Sequence, residues 1–211
     1  MTNANGKPWL SGPHPGPLSH CVYAAGLDCG WRSDHSALVV VAGNLQTRKF
    51  ELAECLSWDP RDYGGELPLA IVKQACREVH QRFHLECLCF DDTGFIEGGQ
   101  ELASSGLPMC RFMKELPSAQ TSRCRLLLDV FRQRGIHLYD TEPSAKVLLR
   151  DLHMMSVVER GPNRLYLEKP RDHSGHCDLG DAFTLSLVGI ELGGAARADR
   201  MQLRQAACDG P

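Results

Sequence analysis

No Cys-x-x-Cys occurs in this 211-residue sequence, although it holds ten cysteines, and no Cys/His pairing has zinc-ribbon or zinc-finger spacing. That excludes the common structural zinc modules. No apolar run approaches the roughly 20 residues that span a bilayer. Residues 1–20 carry Pro, Gly, Ser and Asn but lack the apolar core of a secretory signal. A cytoplasmic setting without a membrane partner is the resulting expectation. Gly-x-x-x-x-Gly-Lys-Ser/Thr is also missing, since Gly6-Lys7 is followed by Pro8 and has no strand before it. A P-loop ATPase is therefore excluded. There is no internal repeat. Positive charge is not in excess: the formal net charge is −3, which alone is no signature of nucleic-acid binding.

What is present fits one α/β domain. A chain of this length buries roughly 70% of its unfolded surface and needs no staples. Most cysteines lie inside apolar runs, where a reduced thiol acts as a small hydrophobe. His173, His176 and Cys177 form the one alternative metal-like group, and it lacks a clear fourth ligand. Apolar patterning predicts strands over 22–28, 37–41 and 49–58, then a helix over 67–83 with one apolar face. A buried strand over 85–90 follows, expected to pair in parallel with the first. Next come a helix over 97–105, a strand over 108–113, a helix from an N-cap at Ser118 to Arg134, and a strand over 136–139. A helix over 144–155, a hairpin around Gly161-Pro162-Asn163, and a final helix over 176–192 stopped by Gly193-Gly194 complete the reading. The expected organisation is a flexible leader (1–20), a folded domain (21–192) and a flexible tail (193–211).

Four aspartates stand out. Asp28 and Asp91 end strand-like runs, and Asp178 and Asp181 lie three apart at the start of the last helix, on one face. Singly, each is equally a cap or turn residue. Jointly, carboxylates from two strand ends and a helix N-terminus suggest one cluster of hard oxygen ligands for Mg²⁺ or Mn²⁺. Two such ions about 3.5–4 Å apart activate a water and stabilise both oxygens of a phosphodiester displacement. Asp28, on the central strand, is the expected bridging ligand. Asp34 and Asp92 are weaker candidates, as neighbours of the ligands or as ordinary loop acids.

These residues carry a resemblance. Gly26-Leu-Asp-Cys-Gly-Trp-Arg-Ser-Asp-His-Ser-Ala-Leu-Val-Val-Val41 resembles the first motif of the nuclease domain of tailed-phage large terminases. Phe90-Asp-Asp-Thr-Gly-Phe95 resembles the second, and Gly175-His-Cys-Asp-Leu-Gly-Asp-Ala-Phe183 the third. The resemblance spans about residues 22–192. It implies an RNase H-like fold, with a mixed central sheet of three antiparallel strands followed by parallel strands, flanked by helices. It also implies a metal-dependent endonuclease that cuts concatemeric double-stranded viral DNA in the host cytoplasm. By position the family's three acids fall on Asp28, Asp91 and Asp178. Asp181 matches a further helix acid of the related RuvC-type resolvases. His176 matches the family's usual His, either orienting Asp178 or capping the helix.

The missing ATPase loop departs from a full large terminase. The expected partners are then duplex DNA, a separate ATPase motor, a small terminase subunit and a portal, and the chain is either separately encoded or an excised domain. Residues 111–150 hold eight Lys or Arg against four acids. Arg123, Arg125, Arg132 and Arg134 are candidate contacts to a DNA backbone, with a solvated helix face as the alternative. A Holliday-junction resolvase, another RNase H-like nuclease, and a non-catalytic DNA-binding or assembly module are the competing readings.

Overall fold

A computed structural model describes residues 13, 14, 16–18, 20–30, 34–91, 94–170 and 177–208, the last stretch beyond 196 mainly by its backbone. Three antiparallel strands open the chain: β1 (Val22–Cys29), β2 (Ser36–Asn44) and β3 (Lys49–Trp58). A short 3₁₀ turn (Pro60–Tyr63) leads to α1 (Leu69–Phe83). Alternating strands and helices follow: β4 (Cys87–Asp91), α2 (Ile96–Ser104), β5 (Met109–Phe112), α3 (Pro117–Arg132), β6 (Ile136–His137) and α4 (Pro143–Met154). The hairpin of β7 (Ser156–Glu159) and β8 (Leu165–Glu168) precedes α5 (Asp178–Cys208).

Six strands form one sheet in the order β5-β4-β1-β2-β3-β6. β4 pairs in parallel with β1, and β5 with β4, as a helical crossover between strands requires. All nine residues of β2 are buried, because both faces of the sheet are covered. On one face Tyr23, Ala25 and Leu27 of β1 pack with Val72, Cys76, Val79 and Phe83 of α1 and Leu102 of α2. On the other, Val22 and Ala24 pack with Leu127 and Val130 of α3, Leu148 of α4, and Leu179, Phe183 and Ile190 of α5. This is the mixed, helix-flanked RNase H-like sheet that the motif resemblance implies.

Three expectations are corrected. α5 does not stop at Gly193-Gly194 but continues to Cys208. The glycines are there for closeness: a Cβ on Gly193 would come within 2.8 Å of the Glu86 Cβ, and one on Gly194 within 2.1 Å of the Leu45 Cδ1. The apolar stretch of α5 from Asp178 to Ala196 is long enough to cross a membrane, yet 72% of it is buried within this fold. Second, α3 starts at Pro117 and its N-cap residue is Leu116, not Ser118. Proline at the first helical position lacks the N–H that would otherwise need capping. Third, part of the expected leader is packed. His14 is 1% exposed, its Nδ1 lies 3.0 Å from the Tyr23 hydroxyl, and its backbone N–H donates to the Ala53 carbonyl at 2.9 Å.

Candidate metal centre

The register of two parallel strands brings the first two acids together. Leu27 pairs with Phe90, so Asp28 and Asp91 follow as neighbours at adjoining strand ends. Ala24, Gly26 and Asp28 share the β1 face that α5 covers, because side chains alternate along a strand. Gly26 lets α5 come very close. A Cβ there would lie 1.9 Å from the Ala182 carbonyl oxygen and 2.4 Å from the Ser186 nitrogen. Gly189 repeats the device one turn on, where an added Cβ would meet the Ala24 Cβ at 2.9 Å. This contact between small residues carries the first turn of α5, and Asp181 with it, onto the end of β1.

Asp28, Asp91 and Asp181 consequently converge, each offering a carboxylate oxygen within 4.8 Å of the others. Asp91 and Asp181 are 5% and 2% exposed, and Asp28 is half-buried. Asp178 lies outside this tight trio but beside it. Burial and the Asp28 charge push its carboxyl up to about 7. Burial also lifts Asp28 above the usual carboxylate range, with Asp91 adding to the rise and Lys169 opposing it. Asp34 is near enough to add to the rise at Asp178. Asp92, His173 and His176 lie outside the described residues.

Three cations compensate this charge. The Lys114 ammonium donates to Asp91 Oδ2 at 2.5 Å. Lys169 donates to Asp181 Oδ2. The Arg123 guanidinium donates to Asp181 Oδ1, and its Nε donates to the Thr184 hydroxyl at 2.6 Å. Arg123 is 5% exposed, so its expected place on a DNA backbone is corrected: it is an internal counter-ion. Burial lowers it to about 10, which leaves it charged at neutral pH. Its position had a legible signal, since Arg123, Leu127 and Val130 recur at helical spacing on the buried face of α3. Arg125, Arg132 and Arg134 are exposed.

Two supporting residues went unread at this site: Asp151 carried no sequence signal, and Lys114 counted only among the eight Lys and Arg of 111–150. Asp151 of α4 is 1% exposed, pairs with Arg150 at 2.7 Å, and accepts from the Gly180 N–H at 3.4 Å. It thus meets an open donor in the first turn of α5 from outside that helix. Lys114 follows β5 at the same sheet end as Asp28 and Asp91, the end at which open α/β sheets bind ligands.

The donor set suits a hard divalent cation. It consists only of carboxylate oxygens, from three elements, in a partly enclosed position. In this structure ammonium and guanidinium groups supply the positive charge that such a cluster requires.

No family model and no curated protein matches the chain in sequence. Solved structures do match in fold. The large terminase nuclease of thermophilic phage G20c with bound magnesium superposes with a TM-score of 0.61 at 14% identity, over 82% of this chain and 84% of that one. The nuclease domain of the Thermus phage P74-26 large terminase gives 0.59 at 14% identity, over 81% and 80%. The HK97 bacteriophage large terminase gives 0.64 at 18% identity, covering 84% of this chain but 41% of that one. The chain has the fold of a large-terminase nuclease domain. At these identities the likeness speaks for architecture, and the chemistry rests on the acids themselves.

Proposed function

We propose that the chain is a Mg²⁺- or Mn²⁺-dependent endodeoxyribonuclease of the terminase type, cutting concatemeric double-stranded viral DNA during packaging. The observation that carries this reading is the convergence of Asp28, Asp91 and Asp181 from two strand ends and a helix. When bound, divalent ions supply Lewis acidity at the scissile phosphate and lower the pKa of an attacking water. Asp28, Asp91 and Asp181 are the residues that would hold them, and Asp178, close enough to feel the Asp28 charge, would complete the set. Asp28 belongs to the trio and is also the acid whose charge acts most on Asp178, which suits it to a shared ligand.

The remaining chemistry belongs to the chain. Arg123, itself anchored on the Thr184 hydroxyl, holds Asp181 Oδ1, and Lys169 holds Oδ2, so the orientation of this carboxylate is fixed beside Asp28. Lys114 and Lys169 are about one-third exposed at the rim. Their long stems place mobile positive charge where a phosphate backbone would pass. Arg125, Arg132 and Arg134 are the exposed cations proposed to track that backbone, giving weak, salt-sensitive binding without sequence preference. The nuclease unit would comprise 21–192 together with the packed segment around His14 and the rest of α5, and act with a separate ATPase motor, a small terminase subunit and a portal. The test is nicking of supercoiled plasmid with Mn²⁺. Asp28→Asn should abolish cutting while circular dichroism stays unchanged. Undiminished cutting by that variant would overturn the assignment.

A further inference from the structure

The nine cysteines from Cys21 to Cys177 are free, and all but Cys110 are buried. Three of them meet on the sheet. Cys87 and Cys89 project from one face of β4, and Cys110 is the register partner of Cys89 on β5. The Cys110 thiol lies beside those of Cys87 and Cys89, close enough for both to act on its ionisation. Neighbouring strands run about 4.8 Å apart, inside the roughly 4.4–6.8 Å between Cα atoms that a disulfide spans.

Access is unequal. Cys87 and Cys89 are 5% and 0% exposed, whereas Cys110 is half-buried. Cys110 and Cys89 both border a cavity of about 640 Å³ between β5, α3 and α5, whose wall also carries Arg111 and Arg125. Proximity of the Cys87 and then the Cys89 thiol pulls the Cys110 thiol well below its ordinary range, while the same contacts and burial push Cys87 and Cys89 up, so Cys110 is the one of the three that ionises first. A partly accessible thiol, favoured as thiolate and flanked by a second thiol, is the arrangement in which oxidation is site-selective.

We propose that Cys110 and Cys89 form a dithiol site for hydroperoxides, with Cys110 as the attacking thiol and Cys89 as the resolving one. The Cys110 sulfur attacks one peroxide oxygen and the O–O bond breaks. Cys110 becomes a sulfenic acid, and the other oxygen leaves as water carrying the thiol proton. Cys89 then attacks the sulfenic sulfur, the S–O bond breaks, and the departing hydroxide takes the Cys89 proton as a second water. Two thiols are oxidised to one disulfide, and one hydrogen peroxide is reduced to two waters. Cys89 precedes Asp91 by two residues on the same face of β4, so the bond would form beside the acid cluster.

The experiment uses the full chain and hydrogen peroxide, followed by alkylation and non-reducing digestion at glutamates. That digestion separates Cys87 and Cys89 (peptide 87–97) from Cys110 (peptide 102–115). Mass spectrometry should find these two peptides joined, with loss of alkylatable Cys110, while Cys76 and Cys124 stay reduced. Dithiothreitol should reverse the link, and Cys110→Ser should lack it. The unsubstituted chain decides the matter whether or not the variants fold. Full alkylation of Cys110 after peroxide, with no joined peptides, would overturn the proposal. Persistence of the link in Cys89→Ser would overturn the role of Cys89. None of these readouts depends on nuclease activity.

Discussion

Gly26→Ala tests how the fold builds the metal centre. The added methyl would meet the Ala182 carbonyl oxygen at 1.9 Å, the Ser186 nitrogen at 2.4 Å and the Leu185 Cβ at 2.8 Å. Two of these are backbone atoms of α5, so no side chain can rotate away. Relief requires separations of at least 3.0 Å, and α5 must therefore move from β1 by about 1 Å. Overpacking usually costs about 1–3 kcal/mol, and this backbone clash belongs at or above the upper end. The displacement carries Asp181 away from Asp28 in a cluster whose oxygens lie within 4.8 Å. A misplacement of about 1 Å can lower a catalytic rate about 100-fold. Urea unfolding, Mn²⁺ titration and plasmid nicking would be measured together, with Gly16→Ala as control, since nothing lies within 4 Å of a Cβ there. The expected outcome is lost stability, weaker Mn²⁺ binding and slower nicking in Gly26→Ala alone. Wild-type values for all three would refute the claim that this contact positions Asp181.

Other predictions follow from the same geometry. Arg123→Met leaves Asp181 buried with only Lys169 beside it. Losing one partner of a buried pair costs about 3–5 kcal/mol, so urea midpoints should fall, and saturating Mn²⁺ should restore part of the loss. Asp178 is raised from 3.8 to about 7 in the folded chain. The folded state then holds a proton that the unfolded state has released, so metal-free stability falls as pH rises from about 4 to about 7, by roughly 4 kcal/mol. Urea titrations across that range should show the decline in the wild type and a flatter profile in Asp178→Asn; equal slopes would count against it. Asp181→Asn should weaken Mn²⁺ binding more than Asp178→Asn, because Asp181 belongs to the tight trio. Calorimetry gives the order directly. Arg125→Ala should weaken duplex binding for all sequences and lower the salt slope by about 1.

Much of the fold was legible because periodicity and punctuation agreed. Strands and helices occur in the expected order, and β4 delivers Asp91 beside Asp28 because a strand reached through a helix pairs in parallel. Failures arose where one residue type serves two purposes. Gly193-Gly194 reads locally as a helix stop, yet the pair faces Glu86 and Leu45 in tertiary contact. Ser118 is a good cap by composition, but Pro117 already occupies the first turn. Arg123 counted as surface charge, although its spacing with Leu127 and Val130 marked the buried face. The resemblance grouped Asp178 with Asp28 and Asp91 and made Asp181 a further ligand, whereas the tight trio contains Asp181; spacing alone could not choose, since residues three apart share a helix face. Rotation of α5 against Gly26 puts Asp181 in the trio and Asp178 next to it.

Anomalous scattering from a Mn²⁺-soaked crystal tests the central claim most directly. A peak bounded by the carboxylates of Asp28, Asp91 and Asp181 is expected, lost in Asp28→Asn crystals. Absence of a peak there, at a Mn²⁺ concentration that supports DNA cutting in solution, would contradict it.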